Sequence, residues 1–164
     1  MTTRSRSWVL GAAGLVFAAA LVLFAALPTG AASPEGVVPD GARLVASRTV
    51  GDSRALLASE SGELRLHVAY PGPKRWLGVA LKPAPAGAAA VWAATTGKEG
   101  VPALSAVYGR VNGVSVQVEL ADGRVTAESA ASDGTYLAVR PGRVGAARVV
   151  VLDETGAVVA EVPL

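Results

Sequence analysis

From Trp8 to Leu27 the chain reads WVLGAAGLVFAAALVLFAAL, twenty residues without a charge or a strongly polar group. As a helix rising about 1.5 Å per residue, this run is roughly 30 Å long, the thickness of a bilayer's hydrocarbon core. No face of it is polar, so it does not suit the surface of a water-soluble core. Pro28 and Gly30 stop the helix at its far end. Trp8 sits where an indole favours the headgroup layer. Arg4 and Arg6 precede the run, so the positive-inside rule puts residues 1–7 in the cytoplasm and everything after the run outside it. We therefore expect a single N-terminal transmembrane helix over 8–28, with the lipid bilayer as partner through residues 8–27. The competing reading is a signal peptide cut after Ala32, with Gly30 and Ala32 as the small residues before the cut, and a secreted product. The run is longer than the roughly 7–15 apolar residues of a signal peptide, which favours the anchor. Against that, Gly11 and Gly14 interrupt it and leave a shorter strong stretch from Leu15 to Leu27. Both readings export the rest of the chain.

The remaining charges are balanced. Arg4 and Arg6 are the only charged residues before Glu35; removing them from the 15 basic residues leaves 13, matching the 13 acidic ones. A neutral body of mixed sign lacks the basic face that nucleic-acid binding needs. It also lacks a polybasic membrane patch. The chain has no cysteine and one histidine. That excludes a disulfide framework, a thiolate metal site, a cysteine nucleophile and a multi-histidine metal site. There is no Gly-rich phosphate loop between a strand and a helix, and no dense run of oxygen ligands for calcium, so we expect no nucleotide and no cofactor.

Residues 29–41, TGAASPEGVVPDG from Thr29, are rich in Pro, Gly and Ser and show no apolar period. They read as a flexible linker. From residue 42 the pattern has period two. Leu64, Leu66, Val68 and Tyr70 alternate with Glu63, Arg65, His67 and Ala69; Val114, Val116, Val118 and Leu120 alternate with Ser115, Gln117 and Glu119. Such alternation marks strands with one face on a core and one in water. Turn signals punctuate it at Ser61-Gly62, Asp122-Gly123, Asp133-Gly134 and Thr155-Gly156. Asp-Gly suits a type I′ hairpin. The acidic residues at these turns, Asp122, Asp133 and Asp153, read as acceptors of backbone hydrogen bonds. About nine to eleven short strands fit between residues 42 and 162. The fold class expected is all-β: an antiparallel sandwich over 42–164, one domain with two β subdomains meeting at 97–102. The segment Pro83 to Thr96 is the least determined, as loop, edge strand or short helical turn; Pro83 and Pro85 keep its start out of a central strand.

The second half carries a family pattern. A Val-x-Gly-x-Val strand is formed by Val107, Gly109 and Val111, followed by the alternating valines Val114 to Val118. An Asp-Gly-x-Tyr turn and strand follow at Asp133, Gly134 and Tyr136, then Pro141-Gly142. Over roughly 105–164 the chain resembles the carboxypeptidase-regulatory-like group of transthyretin-type sandwich domains. The usual segment between the first two strands is shortened here to Asn112-Gly113. The chain is also similar to small membrane-anchored β proteins of Gram-positive bacteria. The first resemblance implies an accessory, structural or binding module, and neither implies catalysis.

Two places could carry chemistry. His67 is the only imidazole, and its strand register puts it opposite Leu66 and Val68, on the wet face. With a nearby carboxylate it is the candidate base of an exported hydrolase; without orienting partners it is an incidental surface residue. No Gly-x-Ser-x-Gly elbow accompanies it. The loop from Tyr70 to Trp76 sets Tyr70 and Trp76 beside Lys74 and Arg75, a residue set typical of binding hot spots. The bland alternative has both aromatics plugging the core, as Trp92 is expected to do. The sequence thus predicts a non-enzymatic binding or scaffolding module, anchored in the bacterial membrane with its β domain extracytoplasmic. Its expected partner is an envelope protein or polysaccharide.

Overall fold

The computed structural model describes residues 31–98 and 100–164, and the span read at 8–27 lies outside them. Among the described residues no helix is long and apolar enough to cross a membrane. The elements found are one 3₁₀ turn, Glu35–Val37, and twelve strands. In chain order these are β1 (Arg43–Val50), β2 (Ser53–Glu60), β3 (Glu63–Pro71), β4 (Trp76–Ala80), β5 (Ala84–Pro85) and β6 (Val91–Ala94), then β7 (Leu104–Arg110), β8 (Ser115–Leu120), β9 (Val125–Ser129), β10 (Thr135–Pro141), β11 (Ala146–Leu152) and β12 (Val158–Pro163). All pair antiparallel. The uncertain segment at 83–96 resolves into the two-residue β5, a loop, and β6.

The strands form three sheets. A front sheet has the order β1-β2-β3-β4, with β5 joining β3; a middle sheet has the order β10-β7-β6; a back sheet has the order β12-β11-β8-β9. The expected antiparallel β-sandwich is present, built in three layers around two cores. Leu57, Leu64, Leu66 and Val68 of the front sheet meet Leu104, Tyr108 and Leu137 of the middle sheet in the first core. Val107, Tyr136 and Ala138 of the middle sheet meet Val116, Val118, Val149 and Val151 of the back sheet in the second. Alternation along β7 sends Leu104, Ala106 and Tyr108 one way and Ser105, Val107 and Gly109 the other, and all six are buried. The segment 97–102 joins β6 to β7, which are paired through Trp92 and Val107, so it lies within a hairpin of the middle sheet. Buried Thr95 fastens this connection: its hydroxyl donates to the carbonyl of Pro102 and accepts from the amide of Leu104.

The four turn signals are all turns, with one change of type. Among the described residues Ser61 is the one non-glycine with positive φ, at 48°, followed by Gly62 at 84°; this pair suits type I′. The other three share a different pattern. The amide of Leu120 donates to the carbonyl of Arg124 at 2.8 Å, and Gly123 donates back to Leu120 at 2.9 Å. Ala131 with Thr135 and Gly134, and Asp153 with Ala157 and Gly156, repeat it at 2.8–3.0 Å. In each, the left-handed glycine closes a type I turn. Asp122, Asp133 and Asp153 each accept the amide two residues ahead, at 3.2, 3.0 and 2.8 Å, and in each turn the glycine alone has positive φ.

The Val-x-Gly and Asp-Gly-x-Tyr residues meet across the middle sheet, where Tyr136 pairs with Gly109. The carbonyl of Ala89 lies over both. It would stand 2.4 Å from any Cβ at position 109, and it accepts the Tyr136 hydroxyl at 2.9 Å. Glycine is needed at 109 because a backbone carbonyl occupies the space of a side chain. Tyr108, on the opposite face, has a buried hydroxyl with no hydrogen-bond partner among the described residues, and burial pushes its pKa up to about 12.

These neighbouring tyrosines give opposite expectations. Tyr136→Phe removes a satisfied hydrogen bond and strands a carbonyl, lowering stability by about 1 kcal/mol or more. Tyr108→Phe removes an unpaired polar atom from the first core, leaving stability unchanged or raising it by up to about 1 kcal/mol. Urea unfolding of both variants checks the ordering, and equal losses would contradict it.

Candidate functional site

The front sheet carries apolar residues on both faces. In β2, Ala55 and Leu57 point into the first core while Leu56 and Ala58 point outward, yet all four are fully buried. The outer face is covered in part by the chain's own lead-in, residues 31–38. Ala31 pairs with Trp76 through two backbone hydrogen bonds, N to O and O to N, each 2.9 Å. The 3₁₀ turn follows, and Val37 descends onto Leu56 and Ala69, with Ala31, Val38 and Trp76 packed around them. Gly78 makes room for it: a Cβ at 78 would stand 2.7 Å from the Val37 Cβ. Glu35 reaches Arg54 at 3.3 Å, an exposed pair that contributes little by itself. Part of the expected flexible linker is thus a strap on the front sheet. The physical reason is Val37-Val38, an apolar pair that a Pro-Gly-Ser composition hides.

His67 lies on this same outer face, in register with Leu56 of β2 and Ala80 of β4. The sequence alternation placed it on a wet face; in the structure it is on the outer face but only 3 % exposed. Its Nε2 is 2.6 Å from Glu60 Oε1, within donating distance. Arg65 Nε stands 3.2 Å from the other oxygen of Glu60. Burial lowers the His67 pKa below its ordinary 6.5; the hydrogen bond and charge of Glu60 act against that fall, and the charge of Arg65 adds to it. The ring is therefore neutral at neutral pH. An imidazole beside a carboxylate is an acid–base pair in form. Here it is enclosed, and the hydrogen bond recorded for its ring goes to Glu60 rather than to a hydroxyl nucleophile. Among the described residues no three His, Asp or Glu side chains gather as a metal site.

The other candidate set is divided by the sheet. Tyr70 and Trp76 are both half-buried. Tyr70 shares the inward parity of Leu66 and Val68, whereas Trp76 pairs with Pro71 and packs on the outer cluster with Val37. Lys74 and Arg75 are exposed at the tip of the β3–β4 hairpin. The structure brings Trp76 and the two cations to the point where the strap begins, and sets Tyr70 on the other side. Trp92 is half-buried at the second core, its Nε1 donating to the Val144 carbonyl at 3.0 Å. Residues 31–38, Glu60 and Arg65 were not singled out from sequence. The double-sided apolar pattern of β2 was the signal that could have found the strap.

No family model, no curated protein and no solved structure matches this chain.

Two outcomes follow. Gly78→Ala should drive Val37 off the sheet, cost about 1–3 kcal/mol and speed amide exchange at Ala31 and Trp76; unchanged exchange at both would show the strap is not held there. His67 should make folding acid-sensitive. Its folded pKa is lowered, so on acidification the unfolded chain takes the proton first. Its contribution is intact above the unfolded value, about 6.5, and is lost as pH falls towards the lowered folded value. His67→Gln should flatten the decline in urea midpoint from about pH 7 to about pH 5, and an equal decline in both proteins would refute this.

Proposed function

We propose that this chain is a membrane-anchored, extracytoplasmic β-sandwich module with a non-enzymatic binding or scaffolding role at the bacterial cell envelope. The apolar run at 8–27 with its preceding arginines supports the anchor. The observation that carries the non-enzymatic part is the burial of His67: the chain's one imidazole is held against Glu60 inside a covered face, where a substrate cannot reach it. In its second half we assign the domain to the carboxypeptidase-regulatory-like type, on the meeting of Gly109 and Tyr136 across paired strands. Its partner is an envelope protein or polysaccharide, since the module presents mixed charge and strand edges rather than a basic groove.

The 2.6 Å contact between His67 and Glu60 supports a second reading, an exported hydrolase. That reading requires the buried ring to become accessible, and it fails if His67→Ala retains whatever hydrolytic activity the wild-type protein displays.

The full chain with a C-terminal tag, expressed in a bacterial host, tests the principal reading. The protein should stay in the membrane through an alkaline carbonate wash, and protease added to spheroplasts should remove the tag. A tag protected from protease, or a protein released by the wash, would refute the anchored, extracytoplasmic placement.

A further inference from the structure

The strap fixes where the front sheet stands relative to the predicted membrane span. Leu27 ends that span, and Ala31 is already fastened to Trp76 by two backbone hydrogen bonds of 2.9 Å. Four residue steps extend at most about 14 Å. The headgroup layer on one side of a bilayer is itself roughly 5–7 Å deep, half the difference between core and total thickness. Ala31, and Trp76 with it, therefore stands no more than about 9 Å beyond that layer. The residues at this end of the sheet suit that place. Lys74 and Arg75 are exposed at the hairpin tip, two positions and one position from Trp76, and Trp76 and Tyr70 are half-buried on either side of the sheet. Asp52 in the adjacent β1–β2 turn is exposed, and Arg54 is paired with Glu35, so the two lysine and arginine cations outnumber the unpaired acid there. Tryptophan and tyrosine favour the headgroup layer, and long cationic side chains reach phosphates.

We propose that the β3–β4 hairpin, Tyr70 to Trp76, docks on the outer leaflet of the membrane that anchors the chain, with Lys74 and Arg75 on lipid phosphates. This rests on the anchored placement argued above and extends it from attachment to orientation. The front sheet stands end-on to the bilayer. The turn at Ser61-Gly62 lies at the opposite end of β3, whose nine residues span about 26 Å between Glu63 and Pro71.

The chain has no cysteine, so single labels can be introduced cleanly. The full chain is reconstituted in phosphatidylcholine vesicles containing phosphatidylglycerol, with a nitroxide on Pro73→Cys or Glu63→Cys. Accessibility to oxygen and to a water-soluble nickel complex reads the depth of each label. The label at 73 should report the headgroup layer and the label at 63 open water. Adding Lys74→Gln and Arg75→Gln should reduce occupancy of the docked position about 25-fold, fivefold per cation. Both side chains are exposed, so folding is unaffected. If the label at 73 is as water-exposed as that at 63 while the chain resists carbonate extraction, docking is overturned and the anchor stands. If carbonate releases the chain from the vesicles, the anchored placement fails and docking fails with it.

Discussion

Burial of the middle sheet on both faces governs the rest of this architecture. A strand covered on two sides needs largely apolar side chains on both faces and a partner for every backbone group. β7 meets the first condition through Leu104, Ala106 and Tyr108 on one face and Val107 and Gly109 on the other. It meets the second by pairing with β6 on one side and β10 on the other. The buried polar residues of this region stand at its margins and tie loops to it. Ser105 donates to the Gly142 carbonyl at 3.0 Å and accepts from the Val144 amide at 2.7 Å. Thr95 does the same for the β6–β7 connection. Hydroxyls placed there satisfy backbone groups that the ladder leaves unpaired.

The outer layers then differ by how their second faces are treated. The back sheet leaves its outer face to water, where Arg148 on β11 bridges Glu119 on β8 and Glu161 on β12. Those ion pairs are exposed and contribute little individually. The front sheet instead carries Leu56, Ala58 and Ala69 outward and buries them. This asymmetry follows from the chain's path. The lead-in reaches the front sheet first, at Trp76, and crosses it before β1 begins. Arg48 on β1 also meets Glu128 on β9 at 2.9 Å, so the first and last sheets touch along one margin as well as through the middle layer.

Strands were legible from sequence; whether a strand's second face is covered was not. β3 and β8 announced themselves by strict alternation, and their inward residues are those the period selects. β7 and β10 were read as strands through Val107-x-Gly109 and Asp133-Gly134-x-Tyr136, but a doubly buried strand has no polar face to mark its period, so their burial on both sides was not legible. For that reason the three-layer arrangement could not be told from a two-sheet sandwich or a pair of modules. The turn positions were legible, but their type was not: in the three aspartate-bearing turns the glycine alone takes positive φ, where type I′ needs two such residues. His67 shows the limit at the candidate site. Alternation correctly assigned it to the face opposite Leu66, but its burial depends on neighbouring strands, with Leu56 of β2 and Ala80 of β4 beside it, which no period within β3 encodes.

On the proposed anchoring, the strap changes the physical regime of the attachment. Thirteen flexible residues, 29–41, would hold a domain at a root-mean-square distance of about 20 Å and in any orientation. Fastening at Ala31 leaves only three residues between the predicted span and the first hydrogen bond to the sheet. On the proposed anchoring, so short a separation limits how far the front sheet can stand from the span. Burial of Val37 and the paired backbone at Trp76 hold the strap on the front sheet. On the proposed placement the Tyr70–Trp76 end is occupied by the membrane. A protein or polysaccharide partner must then approach at the far end of the sheets or along the back sheet, where Val158 and Val159 of the edge strand β12 are more than half exposed.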